Sequence, residues 1–316
     1  MTRHPNLFII GAAKCGTTSA YEWLKGHPQV FMSPAKEPRY FAPDLHSGSQ
    51  HDLLHPHDGD RYLALFADAG DEKWLGEASV RYINSKQAPR LIHEFAPEAR
   101  IVAMIRNPVD MLHSLHNQRV SEGSEPLVDF AAALAADDDR AAGRRLPPGR
   151  SAARAVYRPR ARFAELLTPW IELFGRDAVH VIVFEDLVDD PAAVLRRLLG
   201  FLEIDADYQP GSYAARNRSH APRLRLMRGL TRLAPVQWLV WRAAPAIIGE
   251  RATRGIVRRY RHSPLNRREA TRAPVADDLR RRLQADFAPD VERLSGMLGR
   301  DMAALWWPER SRRVAA

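Results

Sequence analysis

FIIGAAKCGTTSAYEWL, residues Phe8 to Leu24, is the stretch on which the fold assignment turns. An apolar run ends at Gly11, a loop follows to Gly16, and helix-forming residues begin at once. A strand, a glycine turn and a helix N-terminus aim backbone N–H groups and the positive end of a helix dipole at one point, which is an anion site. Thr17, Thr18 and Ser19 add hydroxyl donors, Cys15 a small residue with a backbone donor, and Lys14 a point charge. The glycine spacing is that of the nucleotidase loop G-x-x-x-x-G-K-S/T, whose lysine reaches terminal phosphates and whose next hydroxyl holds magnesium. Here Thr17 stands in the lysine's place and Lys14 comes three residues early. The displaced lysine suggests a shorter phosphate chain. It disfavours a P-loop kinase or NTPase, as does the lack of a clear magnesium aspartate.

The surrounding chain reads as an alternation of strands and helices. Leu7–Ile10, Gln29–Met32, Trp74–Leu75, Arg100–Arg106 and Val179–Phe184 are strand-like. Thr18–Lys25, a segment from Pro108, Ala153–Phe174 and Asp190–Leu202 are helix-like, with Pro108 and Pro191 suited to a first helical turn. Continuous apolar strands separated by helices predict an α/β fold of the P-loop type, a three-layer sandwich with a central parallel sheet and helices on both faces. Ligands in such sheets sit at the strand carboxyl ends, where the opening loop also lies. Two polar stretches, Ala42–Gly59 and Asp137–Ser151, read as loops, the second as a mobile excursion. The whole chain, 1–316, is expected to be one domain. Its parts are an α/β core over 1–205, a basic, mostly helical excursion over 206–273, and a C-terminal helix and tail over 274–316.

Composition bounds the partners. A formal charge of +9 over 316 residues favours anionic ligands. The single cysteine, Cys15, excludes an intrachain disulfide and fits a reducing compartment. The N-terminal apolar run is too short for a signal peptide. No stretch approaches the ~20 apolar residues of a membrane span, so a cytoplasmic protein is expected. Between Arg216 and Arg272 fifteen arginines face two acids, Glu250 and Glu269, interleaved with Trp238 and Trp241. Such a segment reads as a solvated face, as a cover for the acceptor, or as a peripheral contact with anionic membrane. Nucleic acid is a less favoured partner; a non-catalytic nucleic-acid or membrane binder is the alternative outside enzymes. The polar-loop histidines His51, His55 and His57 lack a ligand set at metal spacing.

Two further stretches carry chemistry. RIVAMIRNPVDMLHSLHNQR, Arg100 to Arg119, ends a buried strand at Arg106 and places Ser114 on the next helix. Arginine offers a rigid fork suited to phosphate, although a surface salt bridge explains this stretch alone equally well. SPAKEPRYFA, Ser33 to Ala42, follows the second strand and supplies Glu37, a carboxylate able to take a proton if it lies within reach of one. Its plain reading is a surface Lys36–Glu37 pair in a proline turn. Glu77, in GEASVRYI, is the runner-up base at the end of a short strand, and reads also as a structural or acceptor-positioning residue.

Taken together, GAAKCGTTS, RNP with a serine six residues on, and KEPRYF resemble the sulfotransferases that use 3′-phosphoadenosine 5′-phosphosulfate (PAPS). The pattern is most similar to the heparan sulfate type and its bacterial relatives, whose motifs are G-x-x-K-x-G-T-T/S, R-D/N-P-x-x-x-x-x-S and K-E-P-x-F/Y-F. The resemblance runs from Leu7 to about Leu202 and resumes at the C-terminal helix and Trp306–Trp307. It implies that Thr17 and Thr18 hold the 5′-phosphate, with Cys15, Gly16 and Ser19 in the same loop. Lys14 would sit near the oxygen bridging phosphorus and sulfur, and Arg106 and Ser114 at the 3′-phosphate. Glu37 would be the general base that deprotonates a hydroxyl or amine of a carbohydrate, lipid-linked or small-molecule acceptor. The donor would leave as 3′-phosphoadenosine 5′-phosphate, and no metal is expected. Tyr213 lies where related enzymes place an aromatic by the adenine, and reads equally as a packing tyrosine. Two departures stand out. The family's late K-G-R loop is replaced by REATRAP, leaving Arg272 or Arg268 to complete the clamp, and Arg39 stands where many relatives carry histidine.

Overall fold

The computed structural model describes residues 4–46, 58–147, 150–213, 220–222, 267–269 and 274–307. Five parallel strands form the central sheet: β1 (Leu7–Gly11), β2 (Val30–Met32), β3 (Trp74–Ala78), β4 (Arg100–Ile105) and β5 (Val179–Val183). Their order is β2-β3-β1-β4-β5. Every residue of β1 and β3 is buried, as are Ile101 to Ile105 of β4. Successive strand residues point to opposite faces, so unbroken burial means both faces are covered. The expected three-layer α/β sandwich is therefore the observed one.

The strand order locates the site. From β1 the chain passes through α1 (Thr17–Lys25) to β2 on one side. From β4 it passes to β5 on the other. The adjacent carboxyl ends of β1 and β4 form the switch point at which such sheets bind ligands.

Local chemistry sets the helix boundaries. Asn107 caps α4 (Pro108–Glu122), its side chain accepting from the Val109 and Asp110 N–H groups, with Pro108 in the first turn. α3 (Ala88–Phe95) precedes β4, while α9 (Phe184–Asp189) and α10 (Pro191–Phe201) follow β5. The C-terminal helix, α11 (Asp277–Leu298), sends buried Asp290 to the start of α8 (Phe163–Phe174). The carboxylate accepts from Ala164 N–H at 3.1 Å and Glu165 N–H at 3.2 Å. An acid at a helix N-terminus satisfies orphan donors and meets the positive dipole end.

Two expectations need correcting. The helix predicted over Ala153–Phe174 is divided into α7 (Ala152–Ala155), a 3-10 turn (Arg158–Ala161) and α8. Pro159 has no N–H to continue the helical ladder, and Asp137 draws off the Tyr157 and Arg158 N–H groups at 2.9 and 2.8 Å. The predicted mobile excursion at Asp137–Ser151 begins instead as helix. After α5 (Phe130–Ala135), α6 (Asp137–Ala141) buries Arg140, which donates to both Glu125 oxygens at 2.9 and 2.8 Å. Tyr157 Oη donates to the same carboxylate at 2.9 Å. A buried pair so bonded ties down α6, where hydrophilic composition suggested a loop.

Two compact units divide the chain, Met1–Arg216 with Val275–Ala316, and Asn217–Pro274. In the second, the described residues are a short antiparallel pair, β6 (His220–Pro222) and β7 (Arg267–Glu269). Arg272, Trp238, Trp241, His51, His55 and His57 lie outside the described residues.

Candidate active site

The opening loop has the backbone of an anion cradle. Gly16 precedes α1 in the left-handed conformation (φ 90°), and no side chain caps the helix. The Thr17 and Thr18 hydroxyls thus sit at a helix N-terminus without a side-chain cap, the kind of end that attracts anions. Lys14 also has a positive φ of 68°, uncommon for a residue with a side chain. Ser19 N–H closes the turn on Gly16 O at 2.8 Å.

Cys15 is fully buried beneath the loop. Burial pushes its thiol well above the ordinary range, against the opposing pull of Arg106 and Lys14. A thiol held neutral is no nucleophile, which fits its reading as a small backbone donor.

At Gly16 the glycine is required twice. Besides the positive φ, a Cβ would lie 2.5 Å from Leu187 Cδ2 and 3.3 Å from Met104 Cε and Phe184 Cδ2. Gly16→Ala is therefore expected to cost about 1–3 kcal/mol of stability, read as a lower urea midpoint. An unchanged midpoint would show that the loop accepts a side chain there.

Arg106 leaves β4 and turns to the same loop. Its Nη1 donates to Lys14 O at 3.3 Å, and its guanidinium lies 4.3 Å from the centre of the Phe184 ring. The turn behind it is tied down. Asn107 N–H and Trp306 Nε1 donate to the two oxygens of Glu185 at 3.1 and 2.9 Å. Asn107 Nδ2 donates to Trp306 O at 3.0 Å. Trp306 belongs to α12 (Met302–Trp306), so the C-terminal segment helps orient the arginine. Ser114 is buried on α4.

Glu37 stands on the neighbouring edge. The Glu37 N–H bonds Ala78 O, at the end of β3, at 2.9 Å. Its Oε2 accepts from Arg39 Nε and Nη2 at 3.2 and 2.8 Å, and the side chain is 25% exposed. Both Glu37 and Arg39 have positive φ, 62° and 61°. Two such residues flanking Pro38 store local strain, and strain of this kind gathers at functional sites.

Lys36 was not among the sequence candidates, and its role is an unexpected one. Rather than pairing with Glu37 as in the plain reading, its Nζ donates to Thr18 Oγ1 at 2.6 Å. Burial lowers its ammonium pKa, with Glu37 and Glu22 opposing. Lys36 thereby joins the phosphate loop. The only sequence signal was its place just after β2, beside Glu37.

Glu77 is no exposed base. It is fully buried, accepting from Tyr62 Oη at 2.9 Å, Tyr82 Oη at 2.7 Å and Ser79 Oγ at 2.7 Å. Tyr62 belongs to α2 (Gly59–Leu63). Tyr213 packs edge-on against Trp23 of α1 at 5.8 Å and donates to Gln209 Oε1 at 3.1 Å. It thus packs against the loop helix, the element that follows the anion cradle. Arg268 is described only as backbone in β7.

Comparison with known proteins agrees with this geometry. Residues 5–208 match the family model described as "Sulfotransferase family". Human heparan sulfate glucosamine 3-O-sulfotransferase 6 is 28% identical over 200 residues, covering 63% of this chain and 52% of that protein. Mouse bifunctional heparan sulfate N-deacetylase/N-sulfotransferase 4 is 23% identical over 209 residues, covering 65% of this chain and 23% of that protein. The chain thus spans about half the length of the first of these relatives and less of the second. A sulfotransferase crystal structure from Alicyclobacillus acidocaldarius aligns with a TM-score of 0.69 and 28% identity, covering 96% of this chain and 98% of that one. The loop and the strand order thus have their explanation: the chain belongs to the sulfotransferase family.

Proposed function

We propose that the protein moves a sulfuryl group from PAPS to a hydroxyl or amine of a carbohydrate, lipid-linked or small-molecule acceptor, in line, with Glu37 as general base. The observation that carries this reading is the Lys36 Nζ to Thr18 Oγ1 bond at 2.6 Å. It ties the residue before Glu37 to the first turn of the loop helix, so base and anion cradle share one sheet edge.

The residues present suit a nucleotide with separated phosphates. The uncapped start of α1, Thr17, Thr18 and Lys36 would hold the 5′ end, and Arg106 with Ser114 the 3′-phosphate. When bound, the nucleotide supplies the activated sulfuryl group. Glu37 takes the acceptor's proton, and Lys14 with the loop N–H groups stabilises the negative charge that develops beside them. Positioning and charge stabilisation dominate such transfers, much as in phosphoryl chemistry.

A carbohydrate is the preferred acceptor class, since the relatives compared carry heparan sulfate in their names. No described helix is long and apolar enough to cross a membrane.

Calorimetry tests the donor. The protein should bind 3′-phosphoadenosine 5′-phosphate at least about tenfold more tightly than ADP, a difference of ~1.4 kcal/mol. Equal affinities would remove the donor assignment. Labelled PAPS with a panel of acidic and neutral glycans then identifies the acceptor.

A further inference from the structure

Two hydroxyl relays connect buried Glu77 to the backbone of the Glu37 turn. In one, Arg39 N–H donates to Ser79 Oγ at 3.1 Å, and Ser79 Oγ donates to Glu77 Oε2 at 2.7 Å. In the other, Phe41 N–H donates to Tyr82 Oη at 3.3 Å, and Tyr82 Oη donates to Glu77 Oε1 at 2.7 Å. Each hydroxyl has one proton. Because both receive an N–H from the turn, both must pass their own proton toward Glu77.

We infer that Glu77, in its ionised form, is a positioning residue that holds the strained turn carrying Glu37 and Arg39 through Ser79 and Tyr82. The inference rests on the proposed role of Glu37. Glu77 touches no reacting atom; it acts on the base through the backbone.

The direction of the relays explains why a carboxylate is used. An ionised carboxylate only accepts, so it can take Ser79, Tyr82 and Tyr62 together. A protonated carboxyl must donate from one oxygen. That proton would meet the Ser79 or tyrosine hydroxyl proton head-on and force a relay to turn away from the loop. The two positive-φ residues would then lose one of the bonds that hold them.

Burial raises Glu77 to about 7, opposed by the hydrogen bonds of Ser79, Tyr82 and Tyr62, with Glu37 adding a smaller upward push. The groups facing it are these and Tyr40, which stacks on Tyr62 at 4.5 Å. Both tyrosines are themselves held well above their ordinary value by burial and by Glu77, so they stay protonated donors. The switch is therefore Glu77 itself. Its cost to the fold has a definite sign. A carboxyl raised above its unfolded value favours the folded state while protonated, and that contribution is lost as pH rises through about 7. The ionised, relay-ordering form is the less stable one.

Glu77→Gln imitates the neutral acid and removes no volume. Deuterium exchange of the 37–42 segment should quicken in this variant, and kcat at pH 8 should fall on the order of 10- to 100-fold. KM for the donor and affinity for 3′-phosphoadenosine 5′-phosphate should stay within about twofold. Wild type should lose kcat as pH drops through 7 in parallel with faster exchange at 37–42, and the variant should lack that pH-dependent change in exchange. Should Glu77→Gln fail to fold, Ser79→Ala cuts one relay alone and should quicken exchange at Arg39 more than at Phe41. Unchanged exchange at 37–42 in the folded variant or variants overturns the inference, whatever the activity. Exchange needs no sulfuryl transfer, so it also separates this result from a failure of Glu37 as base.

Discussion

Glu37→Gln is expected to slow sulfuryl transfer by about 10²–10⁴-fold while leaving affinity for 3′-phosphoadenosine 5′-phosphate within about twofold. The substitution keeps the side chain's shape and removes its ability to accept a proton. The turn does not depend on the carboxylate for its position. Glu37 N–H bonds Ala78 O, Arg39 N–H bonds Ser79 Oγ, and Phe41 N–H bonds Tyr82 Oη. Arg39 loses the charged partner that meets its Nε and Nη2, and an amide oxygen can replace only one of those bonds well. Some loosening of Arg39 should follow, without loss of fold, because both side chains are partly solvated. Single-turnover transfer from labelled PAPS reads the chemistry, and calorimetry reads donor binding. Wild-type turnover in the variant would end the general-base assignment. A parallel collapse of donor binding would mean that Glu37 shapes the cradle instead.

The loop and the sheet were legible because their signals are local. Gly11 and Gly16 lie five residues apart at a strand end, and each is demanded by backbone geometry that sequence spacing encodes. At Gly11, with φ 141°, a Cβ would approach Val80 O to 2.8 Å. Likewise Asn107-Pro108 announces its own helix start. Illegible were the relations between distant segments. Nothing near Lys36 in the chain indicates Thr18, eighteen residues earlier. Around Glu77 the sequence shows Ser79 and Tyr82 close by, but not that they and Tyr62 turn their hydroxyls onto it and bury the carboxylate. Glu125 and Arg140 are the same case. The charges of 137–151, Arg140 among them, made that stretch read as solvated, whereas pairing with Glu125 lets Arg140 be buried.

Lys14→Ala is expected to reduce kcat by about 10²–10³-fold and donor affinity by much less. The separation follows from how Arg106 meets the loop. Its Nη1 bonds the Lys14 carbonyl, not the side chain, so alanine leaves that contact and the turn backbone in place. The φ of 68° at residue 14 is no easier for alanine than for lysine, so conformational strain is unchanged by the substitution. What disappears, on the proposed role of Lys14, is one positive charge beside the departing oxygen. That oxygen gains most of its negative charge only as the bond to sulfur breaks, so the lost stabilisation falls on the transition state more than on the bound ground state. Lys36 is poorly placed to compensate, since its ammonium is engaged with Thr18 Oγ1 and partly desolvated. Pre-steady-state transfer and calorimetric binding of 3′-phosphoadenosine 5′-phosphate, measured on the same variant, decide the matter. A loss shared equally between binding and turnover would make Lys14 a ground-state phosphate contact, and near-normal turnover would remove it from the chemistry.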